Sequence, residues 1–547
     1  MLFFSALREK IKSGYSSTDL KSDLLSGLVV SLVAIPLAMA LAIATGVPPQ
    51  NGLYTVIIAG TLVGLMGGSR FQVTGPTAAF IVILAPIVQS HGLEGLLTAG
   101  ILAGLILFLM GLGRMGQLIQ YIPYPVTTGF TSGIAIVICI SQFKDFFGIQ
   151  LESVPLHFIE KAHVLLLSLP SLQIPDTFIA LMTLVILLVW PKVNKSLPSP
   201  LIALAAASFA VFIMHLFMPE LKIETIGSRF GNIPNRFPTF SIPWTHFELN
   251  FLFIKSIFPS AFAIALLGAI ESLLSAVVAD GMTQTKHNPN GELVSLGVAN
   301  MVGPFFGAIP ATGAIARTAT NIRFGAHSNL SAFFHGVFTL LGILLFAQIL
   351  SYIPMAALAS LLVLVAYNMS EAKHFIHILK VAPRSDIFVL LTCFSLTVFF
   401  DMVIGVGVGI VLAALLLMKR ISELTRTDLI EEHHSSLPQN QKLPQDVVLY
   451  QIQGPLFFGA AQNALRSITT TNKSLRVIML DMQNVSAMDM TGLVAFESMC
   501  LFLSKKQIKL CIFNLSGQPK ALIEKSDLKK LFNTYSTLEN TISHLTD

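Results

Sequence analysis

The sequence predicts a polytopic α-helical membrane protein carrying a small soluble α/β tail. Three observations predict it. Of 547 residues, 54% are hydrophobic and only 12% charged, with a mean hydropathy of +0.74; a soluble chain of this length needs far more polar surface. Apolar segments able to enter a bilayer recur from residue 24 to residue 418. After Arg420 they stop, and a polar stretch leads into short runs with strand and helix periodicity.

Residues 1–22 read as a charged, amphipathic lead-in. Arg8, Lys10, Lys12 and Lys21 precede the first apolar span without the short apolar region and small-residue cleavage site of a signal peptide. Fourteen apolar spans follow, at 24–44, 52–67, 76–89, 95–112, 123–142, 174–190, 199–218, 257–279, 291–307, 313–323, 328–350, 354–368, 386–402 and 404–418. Two of them, 76–89 and 313–323, are too short or too interrupted by Gly and Pro for ordinary spanning helices. An even number of spans puts both termini on one side. With that side cytoplasmic, short loops bearing Arg70, Arg114, Lys192, Lys195, Lys286, Arg323, Lys373, Lys380 and Arg384 face inward, as the positive-inside rule asks of a plasma (inner) membrane protein. The long proline-containing stretches 143–173 and 219–256 then cap the outer face.

The chain thus divides into a lead-in (1–22), a membrane region (23–420), a polar linker (421–445) and a tail (446–547). In the tail, VVLYQIQG (447–454), RVIMLDMQ (476–483) and IKLCIFNL (508–515) read as buried strands. LVAFESMCLFLSKK (493–506) has helical spacing. Strands alternating with helices predict a small α/β domain, of a regulatory or oligomerising rather than catalytic kind.

Several function classes fall away. The net charge of +5 is too dispersed for nucleic acid binding. The four cysteines are scattered and imply no disulfide framework or metal knuckle, and the thirteen histidines form no metal-ligating array. GVGVG (405–409) follows no strand, so it is a helix-packing stripe and not a dinucleotide loop. Nothing points to a metal, a cofactor or an enzyme.

Two charges interrupt the apolar pattern. Glu271 lies in FAIALLGAIESLLSAVVA (262–279), and Arg317 follows the small-residue stretch GAIPATGAIA (307–316). A charge near a bilayer centre costs about 2.5–3.5 kcal/mol on insertion scales and usually marks a substrate or ion pathway. The plain alternative is a Glu–Arg pair that locks two helices. FQVTGPTAAF (71–80) and FGAIPATGAIARTATN (306–321) match as candidate inverted repeats when Thr74-Gly75 is aligned with Thr312-Gly313. Each reads as an extended piece, then Gly or Pro, then a helix start, with Pro76 in a first helical turn. Two helix N-termini meeting near the midplane form an anion site. Arg317 adds a full charge, where Ala79 stands in the first repeat.

These residues resemble the SulP sulfate-permease family, relatives of the animal solute-carrier anion transporters. The likeness spans nearly the whole chain: DLLSGLVVSLVAIPLAMALAIATGVPPQNGLY (23–54), GGSRFQVTGPTAAF (67–80), LLGAIESLLSAVVADGMTQTKHNPN (266–290), IPATGAIARTATNIRFGA (309–326) and NMSEAKHF (368–375). Within the family it looks most like the proton-coupled dicarboxylate members, at AIPLAMALAI, GAIESLL and NMSEA.

The resemblance implies seven-plus-seven inverted repeats, with a core domain moving against a gate domain. It implies that Gly75, Thr77, Ala314, Ile315, Ala316 and Arg317 line the anion site, and that Glu271 couples transport to a proton. The tail resembles a STAS domain. Thr491 in DMTG (489–492) stands where some STAS domains carry a phosphorylatable serine; its plain alternative is a helix N-cap. One departure is Leu37 after Pro36, where many relatives carry an anion-contacting Gln.

The expected function is secondary active symport of a proton with sulfate or a four-carbon dicarboxylate, in a homodimer embedded in the lipid bilayer. Sodium-coupled bicarbonate uptake, anion exchange and a membrane-anchored STAS scaffold are the alternatives.

Overall fold

A computed structural model describes residues 4–117, 122–151, 155, 157–194, 197–218, 220–221, 223–245, 250–430, 444, 446–457, 461–462, 464–465, 468, 475–526, 528 and 531–535. Its contacts divide the chain into two units, Met1–Ile410 and Val411–Asp547.

In the first unit the lead-in forms α1 (Ser5–Ser13), followed by α2 (Ser17–Thr45). A capping box fixes where α2 starts: the Ser16 hydroxyl accepts from the Asp19 N–H, and the Asp19 carboxylate accepts from the Ser16 N–H. Then come α3 (Pro49–Met66), the two-residue strand β1 (Thr74–Gly75), α4 (Ala78–Leu112) and α5 (Tyr124–Ser141). Gly92 breaks α4 with φ 68° and ψ −173°, so its two halves match the spans expected at 76–89 and 95–112. The stretches 143–173 and 219–256 hold α6 (Phe143–Phe146), α7 (Phe158–Leu167) and, beyond α8 (Ile174–Val193) and α9 (Ser199–Phe217), α10 (Ile226–Phe230).

The second half repeats the order. It comprises α11 (Phe251–Thr283), α12 (Pro289–Val302), β2 (Thr312–Gly313), α13 (Ile315–Arg323), α14 (Leu330–Leu350), α15 (Met355–Met369), α16 (Ala372–Val381), α17 (Arg384–Phe399) and α18 (Met402–Leu424). Every expected span thus has its helix. Among the described residues nine helices are long and apolar enough to cross a membrane unaided. The shorter ones include α12, with 14 residues, and α13, with 9, and these pack inside the bundle.

Two helix groups emerge. In the first, α12 and α11 pack on α4, α14 packs on α2 and α3, and α13 packs on α11. In the second, α17 and α15 pack on α5, and α8 packs on α9 and α15. Gly405 and Gly409 of α18 lie against Thr397 and Cys393 of α17, the packing role that GVGVG suggested. These are the core and gate groups of a seven-plus-seven fold.

The second unit holds a five-stranded sheet in the order β3 (Arg426–Ile430), β4 (Val447–Gln453), β5 (Val477–Asn484), β6 (Lys509–Phe513), β7 (Asn533–Tyr535). β3 runs antiparallel to β4, and the remaining neighbours are parallel. Ile452, Leu480 and Ile512 pack with Phe496 and Met499 of the helix Met490–Lys505 on one face. Burial pushes the Cys500 thiol on that helix up to about 12, and all four cysteines are free. β3 corrects the expected linker 421–445: its start continues α18 and then adds an edge strand. The rest of that stretch, 431–443 and residue 445, lies outside the described residues.

Candidate functional site

The two half-helices meet as the repeat alignment requires. β1 and β2 pair antiparallel, Thr74 opposite Gly313 and Gly75 opposite Thr312, which is the exchange a local two-fold axis produces. The Ala314 N–H extends the bridge by donating to Val73 O at 2.9 Å, and the Val73 N–H donates to the Thr318 hydroxyl at 3.0 Å. α4 starts from N-cap Thr77 and α13 from N-cap Ala314, and neither has a side-chain cap. Their first-turn N–H groups are therefore available to a ligand. Pro76, expected in the first turn, instead stands just before the N-cap.

Both N-termini line one cavity of about 520 Å³. Thr77, Ala314, Ile315, Ala316, Arg317 and Glu271 all face it, so six expected site residues are brought together. Leu37 lines it too, apolar where a Gln contact is missing. Gly75 is the correction. It sits behind the site, where a Cβ would collide with Arg317 Nη1, and the bare backbone there is what admits the guanidinium.

Arg317 is 2% exposed. Its Nη2 donates to Pro76 O, while Nε and Nη1 have no hydrogen-bond partner among the described residues. A buried guanidinium with free donors is costly unless something anionic meets it. Glu271, partly exposed on α11, accepts from the Thr77 hydroxyl at 2.8 Å. The two intramembrane charges thus bond to other groups, and the locked Glu–Arg pair is not what the geometry contains.

Sequence reading missed a second carboxylate. Glu292 on α12 is 0% exposed. It accepts from the Gly68 N–H at 2.8 Å, the Ser69 N–H at 3.1 Å and Gln72 Nε2 at 2.8 Å. Gln72 Nε2 also donates to Ser272 Oγ at 2.6 Å, so the network clasps the chain leading into β1 to α11 and α12. The opposite wall of the cavity was missed as well; it includes Tyr124, Thr127, Thr128 and Thr131 of α5, with Asn368 and His374. The polar run YPVTTGFTSG (124–133) inside an apolar span was the available signal.

In the second unit, Asp489 caps the helix Met490–Lys505 by accepting from the Gly492 N–H at 2.7 Å. The N-cap role weighed for Thr491 belongs to Asp489. Thr491 is exposed in the first turn.

Comparison with known proteins agrees with this architecture. The sulfate permease family model matches residues 20–395, and the STAS domain model matches 439–541. The candidate sulfate transporter YvdB of Bacillus subtilis (strain 168) is 42% identical over 486 residues, 89% of this chain and 89% of that one. The murine solute carrier 26 family member A9 anion transporter, in its inward-facing state, superposes with a TM-score of 0.88 at 18% identity, covering 99% of this chain and 94% of the other. The transmembrane domain of the cyanobacterial bicarbonate transporter BicA superposes with a TM-score of 0.62 at 27% identity, covering 73% and 98%. The chain, with its helical membrane core and C-terminal STAS domain, therefore belongs to the sulfate permease family of anion transporters.

Proposed function

We propose that this protein carries a proton together with sulfate or a four-carbon dicarboxylate. One observation carries the reading: a buried Arg317 with free donors and a partly exposed Glu271 share a cavity with two uncapped helix N-termini. The anion is held by the first-turn N–H groups of α4 and α13 and by Arg317. Ionised Glu271 repels it. A proton on Glu271 removes the repulsion and lets the carboxyl donate to Thr77, so the Thr77 hydroxyl can turn its own proton toward the anion. The core group then carries the loaded site past the gate group.

In this reading both termini are cytoplasmic in the plasma (inner) membrane, supported by the basic short loops. The STAS domain is regulatory or joins two copies in a homodimer. Phosphate on exposed Thr491 would meet the positive end of the helix Met490–Lys505. The 27% likeness to the transmembrane domain of the bicarbonate transporter BicA supports bicarbonate as the substrate in a second reading, in which sodium replaces the proton.

The test is uptake of sulfate, succinate and bicarbonate into proteoliposomes, with pH and sodium gradients imposed separately. Acid-outside accumulation of sulfate or succinate without sodium is expected. Sodium-dependent bicarbonate uptake indifferent to the pH gradient would replace the first reading with the second.

A further inference from the structure

Arg317, Glu271 and the half-helix N-termini all belong to the core group. The facing wall belongs to the gate group, where α5 presents three threonines, Thr127, Thr128 and Thr131. Their hydroxyls are not equivalent. Thr127 Oγ1 donates to Tyr124 O at 2.9 Å, and Thr131 Oγ1 donates to Thr127 O at 2.9 Å. That is the ordinary way a helical threonine satisfies itself. Both of those side chains are half-buried. Thr128 is the most enclosed of the three, at 2% exposure, yet its Oγ1 has no hydrogen-bond partner among the described residues. A buried hydroxyl left without a partner is unfavourable. Thr128 lines the same cavity as Arg317, whose Nε and Nη1 are likewise buried without a partner among the described residues.

We propose that Thr128 is an anion-contacting residue, donating its O–H to the far side of an anion held by Arg317 and the two N-termini. This rests on the anion-transport reading above and adds a specificity element to it. A hydroxyl facing a guanidinium favours an oxyanion, which has acceptor oxygens on opposite sides, over a halide ion. The contact spans the two helix groups, so it exists only while α5 stands opposite the half-helices. Thr128 therefore acts in one stage of the transport cycle, whereas Arg317 travels with the cargo throughout.

The experiment uses the full chain in proteoliposomes, with sulfate, succinate and bicarbonate as probes and chloride as competitor. Thr128→Val keeps the shape and removes the donor; Thr128→Ser keeps the donor. Thr183→Val is the control: that buried gate-group hydroxyl is bonded within its own helix, to Ile179 O, away from the cavity wall. Thr128→Val should raise KM for the transported oxyanion about tenfold, the size of one hydrogen bond to a charged group. Thr128→Ser should stay within about twofold of wild type, the control should match wild type, and chloride competition should not change. Thr128→Val behaving like Thr183→Val overturns the proposal, and so does Thr128→Ser failing as badly as Thr128→Val, which would make the role one of packing. If the anion reading itself is wrong, the sign is different: Arg317→Ala leaves uptake unchanged, or wild type takes up none of the three anions.

Discussion

Glu271 and Glu292 are both carboxylates inside the core group, and their surroundings differ in kind. Glu292 is fully enclosed and accepts three hydrogen bonds, two from backbone N–H groups. Glu271 is partly exposed to the cavity and accepts one bond from a side-chain hydroxyl that can rotate. Three donors, two of them backbone, hold the Glu292 carboxyl group in place and tie it into the fold. Glu271 has one donor that can rotate and a place on the cavity wall, which suits the proton-carrying role proposed for it. Burial of an acidic group in a membrane protein therefore does not distinguish scaffold from function; the number and rigidity of its donors does.

The sharpest way to break this comparison is Glu292→Leu. It would orphan three donors at about 1–3 kcal/mol each, so we expect loss of folded protein, read as a collapse of the thermal transition and of monodisperse yield. Glu292→Gln should retain part of that stability. A well-folded, transporting Glu292→Leu protein would mean the clasp is dispensable.

Arg317→Ala comes next. The fold should survive, since among the described residues its guanidinium hydrogen-bonds to Pro76 O alone. Anion affinity in the purified protein should fall about a hundredfold, the scale of a charge-assisted contact. Unchanged affinity would sink the assignment of Arg317.

Glu271→Gln should be milder for binding and decisive for coupling. It imitates the protonated carboxyl, so affinity should stay within a few-fold and anion exchange should persist. Accumulation driven by an acid-outside gradient should vanish. If the mutant still concentrates substrate on protons, Glu271 is a second structural carboxylate and the coupling site lies elsewhere. Thr491→Ala is the smallest effect, within about 0.5 kcal/mol in stability and close to wild type in uptake. A large transport defect would tie the STAS domain to the transport cycle itself.

The helical spans were legible because each is an apolar run with its own start and stop residues. The half-helices were legible because Gly and Pro interrupt small-residue segments at matching places in the two repeats. Glu292 was not, because at the head of its span it reads as an ordinary flanking charge; only the fold brings Gly68, Ser69 and Gln72 around it. The Thr77–Glu271 bond joins residues far apart in the chain, which periodicity cannot pair. β3 was hidden because RTDLI is polar and short, as an edge strand tends to be. Gly75 was placed among the contacts by the family resemblance, while in the structure its bare backbone admits the Arg317 side chain.

The pairing of Thr74-Gly75 with Thr312-Gly313 ties both half-helix N-termini into one piece. They cannot part without breaking a hydrogen-bonded bridge, so the cup they form keeps its shape whichever way it faces. A carrier whose cup is unchanged on the two sides binds with nearly the same free energy on both. Left alone, it levels concentrations and stops. Any power to concentrate must then come from outside the cup's geometry, from a second gradient that decides when the loaded form may turn. In such a machine the rigid strand pair supplies fidelity, and under the proposed proton coupling the thermodynamic work enters where protonation alters the charge of what is carried.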